Sequence, residues 1–261
     1  MFDALGDRMK GFYEDRYRIY LTRRMPVIIR IDGNAFHTFT KGLDKPFDNH
    51  FMRLMQDTCY HLCKNIQGCV GGYVQSDEIS LLLVDYNTVN TDAWFDYNLQ
   101  KICSLAASRA TMIFNAMVTN PVRIEQADIS AIWARRQGQA MFDARAFNIP
   151  KEEVCNYFIW RQKDAIRNSI QAAGQAAFSH KELDRKSQSE IQEMLFQNGI
   201  NWNDYSIPEK RGTFVKRDIE VTVKNDGTIV TRHPWFLDVE MPILTEDRDY
   251  INELVFIDDD E

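Results

Sequence analysis

Apolar and polar positions change period several times along this chain, and each change marks an element. Phe2, Leu5, Met9, Tyr13, Tyr17 and Tyr20 recur every three or four residues. That spacing predicts an amphipathic helix running through Gly6 and Gly11 and closed by Pro26. Val27 to Ile31 is a short β-branched run that stops at Asp32-Gly33, as a mostly buried strand stops at a polar loop. Phe51, Leu54, Met55, Thr58, Cys59, Leu62, Cys63 and Ile66 return to the helical period, ending near Gly68. Cys69 to Val74 and Ile79 to Val84 then read as two strands of a hairpin, with Gln75-Ser76-Asp77-Glu78 at its tip. A second long helical stripe runs from Phe95 to Met117, and Met141 to Ile149 reads as a further strand.

The order strand, helix, strand, strand, helix, strand is that of the split βαβ, so the predicted fold is α+β with a ferredoxin-like antiparallel sheet and helices on one face. In this topology the third strand lies between the first and second, which places the end of the first strand beside the hairpin tip. Asp32 and Asp77 are therefore expected to be neighbours. Beyond Pro150 the pattern predicts a long helix with Val154, Tyr157, Phe158, Ile166 and Ile170 inward, then a shorter one around Ile191 to Phe196. Val221 to Lys224 and Thr228 to Thr231 flank Asn225-Asp226-Gly227, a hairpin signal because Asp-Gly tolerates positive φ. No repeat, low-complexity segment or Gly/Pro/Ser-rich linker divides the chain. The expected organisation is a palm-like unit over 1–150 and a helical extension with hairpin over 151–261, packed together.

Composition changes this picture little. At 261 residues, 44% hydrophobic, the chain can bury a sizeable core, which excludes disordered and collagen-like classes. Its five cysteines are odd in number and contain no Cys-x-x-Cys, which fits reduced thiols and a cytoplasmic protein. Cys59, His61 and Cys63 read as core packing rather than a metal site, because both cysteines lie on the apolar stripe. No apolar leader or membrane-length run is apparent. The net charge of −7 argues at first against nucleic acid, but residues 246–261 hold eight acids and one base, leaving 30 of each before them. The terminal run Asp258 to Glu261 reads as a solvated tail.

Two carboxylates on adjacent sheet loops can share a pair of Mg²⁺ ions, whose preferred ligands are hard oxygens. Gly33 lets backbone approach a metal-bound triphosphate, and the loop Gly33-Asn34-Ala35-Phe36-His37 is a candidate phosphate cradle. Glu78 follows Asp77 on an extended chain and faces the other way, which ranks it below the aspartates. An Asp-Gly after a strand and an Asp-Glu at a hairpin tip are also ordinary turn chemistry.

Three segments decide between these readings: Arg30-Ile31-Asp32-Gly33-Asn34-Ala35-Phe36-His37, Lys45-Pro46, and Gln75-Ser76-Asp77-Glu78-Ile79-Ser80. In order and spacing they resemble motifs of the tRNA-His guanylyltransferase superfamily. The resemblance continues through Trp94 to Lys101, Phe142-Asp143-Ala144-Arg145, Trp160-Arg161-Gln162, and Glu193 to Phe196 with Asn201 to Asp204, covering roughly residues 25–217. It implies that Asp32, the Gly33 carbonyl and Asp77 hold two Mg²⁺ ions, with Glu78 an acidic group beside them. It further implies that Lys45, Ser76 and Lys101 serve the triphosphate of ATP, GTP or another NTP, and that His37 and Asp48 lie near the base. After Arg161-Gln162-Lys163-Asp164, eukaryotic members read His-Ile-Asn-Asn-Leu-Tyr-Asn, whereas this chain reads Ile166-Arg167-Asn168-Ser169-Ile170-Gln171-Ala172. That departure, with Gly199 to Tyr205, resembles the bacterial and archaeal guanylyltransferase-like branch, implicated in repair of 5′-truncated tRNA. The lysine that members carry before Glu-x-Leu-Phe is replaced by Ile191 or Gln192.

The resemblance implies a polymerase-like palm that grows RNA in the 3′-to-5′ direction. The tRNA 5′ phosphate is first activated by a nucleotide; the 3′-hydroxyl of an incoming NTP then attacks it, with the opposite strand of the acceptor stem as template. It also implies a homodimer or homotetramer. RNA contacts to backbone and shape are expected from Arg161, Lys163, Arg167 and Asn168, with Arg135-Arg136 and Lys210-Arg211 as further basic pairs. Each has a solvated helix face as its alternative. The rival functions are a palm-fold nucleotidyl cyclase and a noncatalytic RNA-binding module.

Overall fold

The computed structural model describes residues 4–118, 127–223 and 228–257. Eight strands and ten helices are described: α1 (Ala4–Met9), β1 (Val27–Gly33), α2 (Phe36–Phe39), α3 (Asn49–Asn65), β2 (Cys69–Gln75), β3 (Glu78–Leu83), α4 (Leu99–Val118), α5 (Ala127–Arg136), β4 (Phe142–Asn148), α6 (Lys151–Ala177), α7 (His180–Leu183), α8 (Gln188–Gln197), α9 (Ile207–Arg211), β5 (Thr213–Arg217), β6 (Glu220–Val223), β7 (Ile229–Arg232), β8 (Trp235–Asp238) and α10 (Asp249–Asn252).

The main sheet has the order β4-β1-β3-β2-β5-β8, with every neighbouring pair antiparallel. Its first four strands are the expected split βαβ, and the chain after Pro150 adds β5 and β8 to the same sheet. The two helices of that unit, α3 and α4, cover one face as expected, and α6 of the helical extension covers the other. On one side Val27, Ile29, Ile31, Ile79, Leu81 and Leu83 pack with Leu54, Met55, Cys59, Leu62 and Cys63 of α3 and Ile102, Ala106, Ala110 and Phe114 of α4. On the other, Ile28, Tyr73, Leu82 and Phe214 pack with Val154, Tyr157 and Phe158 of α6. Strand alternation explains the division, because neighbouring residues point to opposite faces and β1 is apolar at successive positions Val27, Ile28 and Ile29.

Two helical expectations are refined. The stripe from Phe2 to Tyr20 is helical over the described stretch from Ala4 to Tyr17, as α1 followed by a wider turn at Lys10–Glu14 and a tighter one at Asp15–Tyr17. None of the described residues of these three turns is buried, and the coil widens at Gly11, where the backbone is freest. The following segment instead zips onto the start of α4, with Leu21 N–H donating to Tyr97 C=O at 3.0 Å and Leu99 N–H to Ile19 C=O at 2.8 Å. The second stripe begins at Leu99 rather than Phe95: Phe95, Asp96 and Tyr97 take positive φ, so the backbone turns before the helix starts.

Strands β6 and β7 pair as a separate antiparallel ribbon with Val223 opposite Ile229. Its expected Asn225-Asp226-Gly227 turn and the acidic run from Asp258 lie outside the described residues. All five cysteines are free thiols. No described helix is long and apolar enough to cross a membrane.

Candidate active site

The first strand delivers Asp32 to the edge of the sheet and the two-residue tip of the β2–β3 hairpin delivers Asp77. Gly33 N–H donates to Asp77 C=O at 3.0 Å, so the two loops are hydrogen-bonded backbone to backbone. Burial raises the Asp77 carboxyl above the ordinary aspartate range, and the charge of Asp32 adds to the rise. A carboxylate so placed gains from a nearby cation.

Cross-strand register sorts the α6-facing side of the sheet into three rows. Ile28 lies between Leu82 and Phe147, Arg30 between Ser80 and Arg145, and Asp32 between Glu78 and Asp143. The surface thus grades from apolar to cationic to anionic toward the loop end. Like charges directly opposite destabilise a sheet, and three carboxylates in one row require compensation. The arginines supply it. Arg30 Nη2 lies 3.1 Å from Asp32 Oδ1 and 2.7 Å from Glu78 Oε2, and Arg145 Nη2 lies 3.0 Å from Asp32 Oδ2 and 3.2 Å from Asp143 Oδ1. From α6, Arg161 donates through Nε to Glu78 Oε1 at 2.6 Å and through Nη2 to Oε2 at 2.5 Å. Burial raises the Glu78 carboxyl, with Arg161 and Arg30 pulling it back. Beneath this network Tyr157 and Ser80 share a 2.8 Å hydrogen bond, and burial pushes the Tyr157 phenol up to about 12.

For divalent ions the donor set fits. Two hard carboxylates adjoin, and Asp32 Oδ2 is buried without a well-aligned hydrogen bond despite its contact with Arg145. Among the described residues no group of three or more His, Cys, Asp or Glu is arranged to hold an ion. The remaining ligands would therefore be main-chain carbonyl, phosphate and water, as is common for Mg²⁺.

Beside the hairpin tip lies an open cavity of about 280 Å³, near the lower end of the roughly 300–1,000 Å³ range of ligand pockets. Lys45, Asp48, Ser76 and Asn168 line it together with apolar Leu43, Phe47 and Met52. Asp48 is also the N-cap of α3: Oδ1 accepts Phe51 N–H at 2.7 Å and Oδ2 accepts Asp44 N–H at 3.2 Å. Exposed Ser76 donates to Asp77 Oδ1 at 3.3 Å.

The Gly33–His37 turn is held from below. Ala35 takes the left-handed conformation before α2, and Asn34 N–H donates to Met141 C=O at 2.8 Å. Phe36, expected at the nucleotide, is instead buried in an aromatic cluster with Phe39, Phe51, Phe114 and Phe142, so only its backbone belongs to the loop surface. Its ring also gives Gly33 a packing reason: a Cβ there would sit 2.4 Å from Phe36 ring carbons. His37 is exposed and pairs with Thr38 Oγ1 at 3.1 Å.

Several expected contacts are not brought together. Lys101 sits in the first turn of α4 with Nζ 4.5 Å from the Phe95 ring centre. Thr111 Oγ1 accepts Phe142 N–H, and Phe142 is opposite Gly33, so the carboxyl-terminal half of α4 lies level with the site. At about 1.5 Å rise per residue, Lys101 is roughly 15 Å back along the helix. The chain crosses the sheet along β3 before entering α4, which places the helix start at the wrong end. Arg161, expected at an RNA surface, is 3% exposed and committed to Glu78. Lys163, Arg167 and Asn168 are exposed on α6, with Arg167 paired to Asp164. Lys210 folds back, Nζ donating to Asn203 C=O at 2.6 Å, and Arg211 is half-buried. Arg135 is exposed, while Arg136 donates to Lys41 C=O and stands 5.2 Å from the Phe39 ring centre. Arg30, Arg145 and Asp143 join the site only through these cross-strand contacts. Their signal was the alternation of charge with apolar residues in β1 and in Phe142-Asp143-Ala144-Arg145.

A ferredoxin-like sheet with two aspartate-bearing loops hydrogen-bonded at the end of its first strand fits a palm-type nucleotidyltransferase. The family model described as tRNAHis guanylyltransferase (Thg1) matches residues 6–150, more than half of the chain, and the chain belongs to that family. A bacterial tRNA(His) guanylyltransferase-like protein solved in complex with ATP superposes with a TM-score of 0.83 at 42% identity, over 97% of this chain and 100% of that one. A bacterial protein of the same description in complex with GTP gives 0.79 at 40%, with the same coverage. The tRNA(His) guanylyltransferase of Saccharomyces cerevisiae is 26% identical over 210 residues, 75% of this chain and 84% of that one. The higher identity to the bacterial proteins agrees with the sequence after Asp164.

Proposed function

We propose that this chain is a template-directed nucleotidyltransferase that extends the 5′ end of truncated tRNA in the 3′-to-5′ direction, using ATP, GTP or other NTPs. The observation that carries the reading is the hydrogen-bonded junction of the Asp32–Gly33 and Asp77 loops beside the Lys45–Ser76 cavity. Asp32, Asp77 and the Gly33 carbonyl would hold two Mg²⁺ ions, which stabilise charge on the attacking and leaving oxygens of an in-line displacement. Lys45 and Ser76 orient the triphosphate from the cavity side. The Gly33–His37 turn, fixed by Phe36, offers backbone and His37 to the same nucleotide. Asp48 shapes the mouth as the cap of α3.

The reaction has two stages. A 5′-monophosphorylated tRNA accepts a nucleotidyl group from ATP or GTP with release of pyrophosphate; the 3′-hydroxyl of the next NTP then attacks that tRNA phosphate and displaces the nucleoside monophosphate. The protein's share is positioning and charge neutralisation, and no side chain becomes covalently modified. Pairing with the opposite strand of the acceptor stem selects the nucleotide, while Lys163, Arg167 and Asn168 on α6 and Arg135 on α5 hold RNA backbone. The chain works in the cytoplasm as a homodimer or homotetramer, in which the apolar N-terminal segment, exposed in the single chain, is covered.

The test offers a 5′-monophosphorylated tRNA lacking its first nucleotide, with ATP, labelled NTPs and Mg²⁺, and varies the opposing base. Incorporation that follows the opposing base is the expected result. Incorporation indifferent to that base rejects templating, a cyclic product formed without tRNA favours the cyclase, and binding without incorporation favours the noncatalytic module.

A further inference from the structure

We propose that Glu78 and Arg161 form a positioning pair, which fixes the Asp32 carboxylate through Arg30 and stands outside the metal-ligand set. The inference rests on the reading of Asp32 as a metal-holding carboxylate. Both Glu78 oxygens are engaged by the fork of Arg161, and Oε2 also meets Arg30 Nη2 at 2.7 Å. The same Arg30 nitrogen reaches Asp32 Oδ1 at 3.1 Å, so the connection from α6 to Asp32 is continuous. The pair is closed to solvent, with Arg161 at 3% and Glu78 at 5% exposure. Arg161 is anchored further by Asp164 Oδ2 at 3.0 Å.

A buried ion pair holds together only when its geometry offsets the desolvation of both charges, and the two-point guanidinium fork meets that requirement where a lysine would not. Arg30 has no such fork of its own: its Nε is buried without a partner. Its orientation therefore depends on Glu78, and the orientation of Glu78 depends on Arg161. Arg161 thereby ties the placement of Asp32 to α6, the helix that also lines the nucleotide cavity through Asn168.

The sign of one effect separates this role from a general electrostatic one. Arg161 cannot ligate a cation, and deleting a positive charge near a cation site tightens binding by Coulomb attraction alone. Positioning predicts the opposite. We expect Mn²⁺ binding to the full-length chain, read by electron paramagnetic resonance of the free ion, to weaken about tenfold or more in R161M, as for loss of an outer partner of a metal ligand. R161K keeps the charge without the fork and should weaken binding in the same sense, and it decides the matter if R161M does not fold. The double variant E78Q/R161M should match the worse single variant rather than the product of both. Wild-type or tighter Mn²⁺ binding in folded R161M and R161K overturns the proposal while leaving the two-aspartate site intact. Mn²⁺ binding unaffected by D32A overturns the site reading and this inference with it.

Discussion

Toward α3 and α4 the central sheet presents Val27, Ile29, Ile31, Ile79, Leu81 and Leu83, all fully buried; toward α6 the same strands present Arg30, Asp32, Glu78 and Ser80 among fewer apolar groups. The first face is uniform and its interactions are non-directional burial. The second is graded, and its charges are held in place by named partners at 2.5–3.2 Å. The contrast shows that one strand can present an apolar surface with its odd positions and charged groups with its even ones, because alternation keeps the two from interfering. It also separates two kinds of mutational effect, on activity and on folding.

The largest effect is expected from Asp32→Ala or Asp77→Ala. Each should reduce labelled-nucleotide transfer by on the order of 10³-fold or more, the loss of several kcal/mol of charge stabilisation. Asp77→Ala should leave the melting temperature unchanged or raised, because it removes a desolvated carboxylate facing Asp32. A large drop in melting temperature would break the division of labour. On the apolar face Ile31→Ala should lower unfolding free energy by about 2–5 kcal/mol in a denaturant titration. Its folded fraction should keep nucleotide transfer within a few fold.

A smaller effect sharpens the same comparison. Gly72 has Cys63 Sγ 2.5 Å and Cys59 Sγ 2.8 Å from where a Cβ would sit, so Gly72→Ala should destabilise by about 1–3 kcal/mol through overpacking. Shortening Cys63 to Ala in the same chain should recover part of that loss; strict additivity would show that the thiols are not the obstacle. As a reference outside both faces, Ser187→Ala removes the cap of α8, where Ser187 Oγ accepts Glu190 N–H at 3.3 Å. It should lower stability by about 1 kcal/mol with no change in transfer rate.

Much of the fold was legible because its elements are long and periodic. The α3 stripe, the β2–β3 hairpin and β4 lie within a residue or two of their predicted bounds, and topology alone placed Asp32 beside Asp77. What escaped depended on partners that no local pattern records. The N-terminal stripe has helical spacing and is helical to Tyr17, but none of the described residues there is buried and the coil widens after α1. Phe36 reads as a loop residue in sequence, and only the convergence of four other phenylalanines shows it to be core. Arg161 looks like a surface cation on a helix until Glu78 is seen beneath it. Lys101 follows the right motif yet enters its helix from the far end of the sheet. In each case sequence spacing carried the local geometry, and the missing information was which distant residue faced it.

In the proposed function, positions 32 and 77 jointly hold divalent ions against a triphosphate. The most direct test counts bound Mn²⁺ per chain in the presence of a non-hydrolysable ATP analogue, for wild type, D32A and D77A. Two ions beyond those bound by the free analogue in wild type, with at least one lost in each variant, is the predicted result. The same count in all three proteins would contradict it.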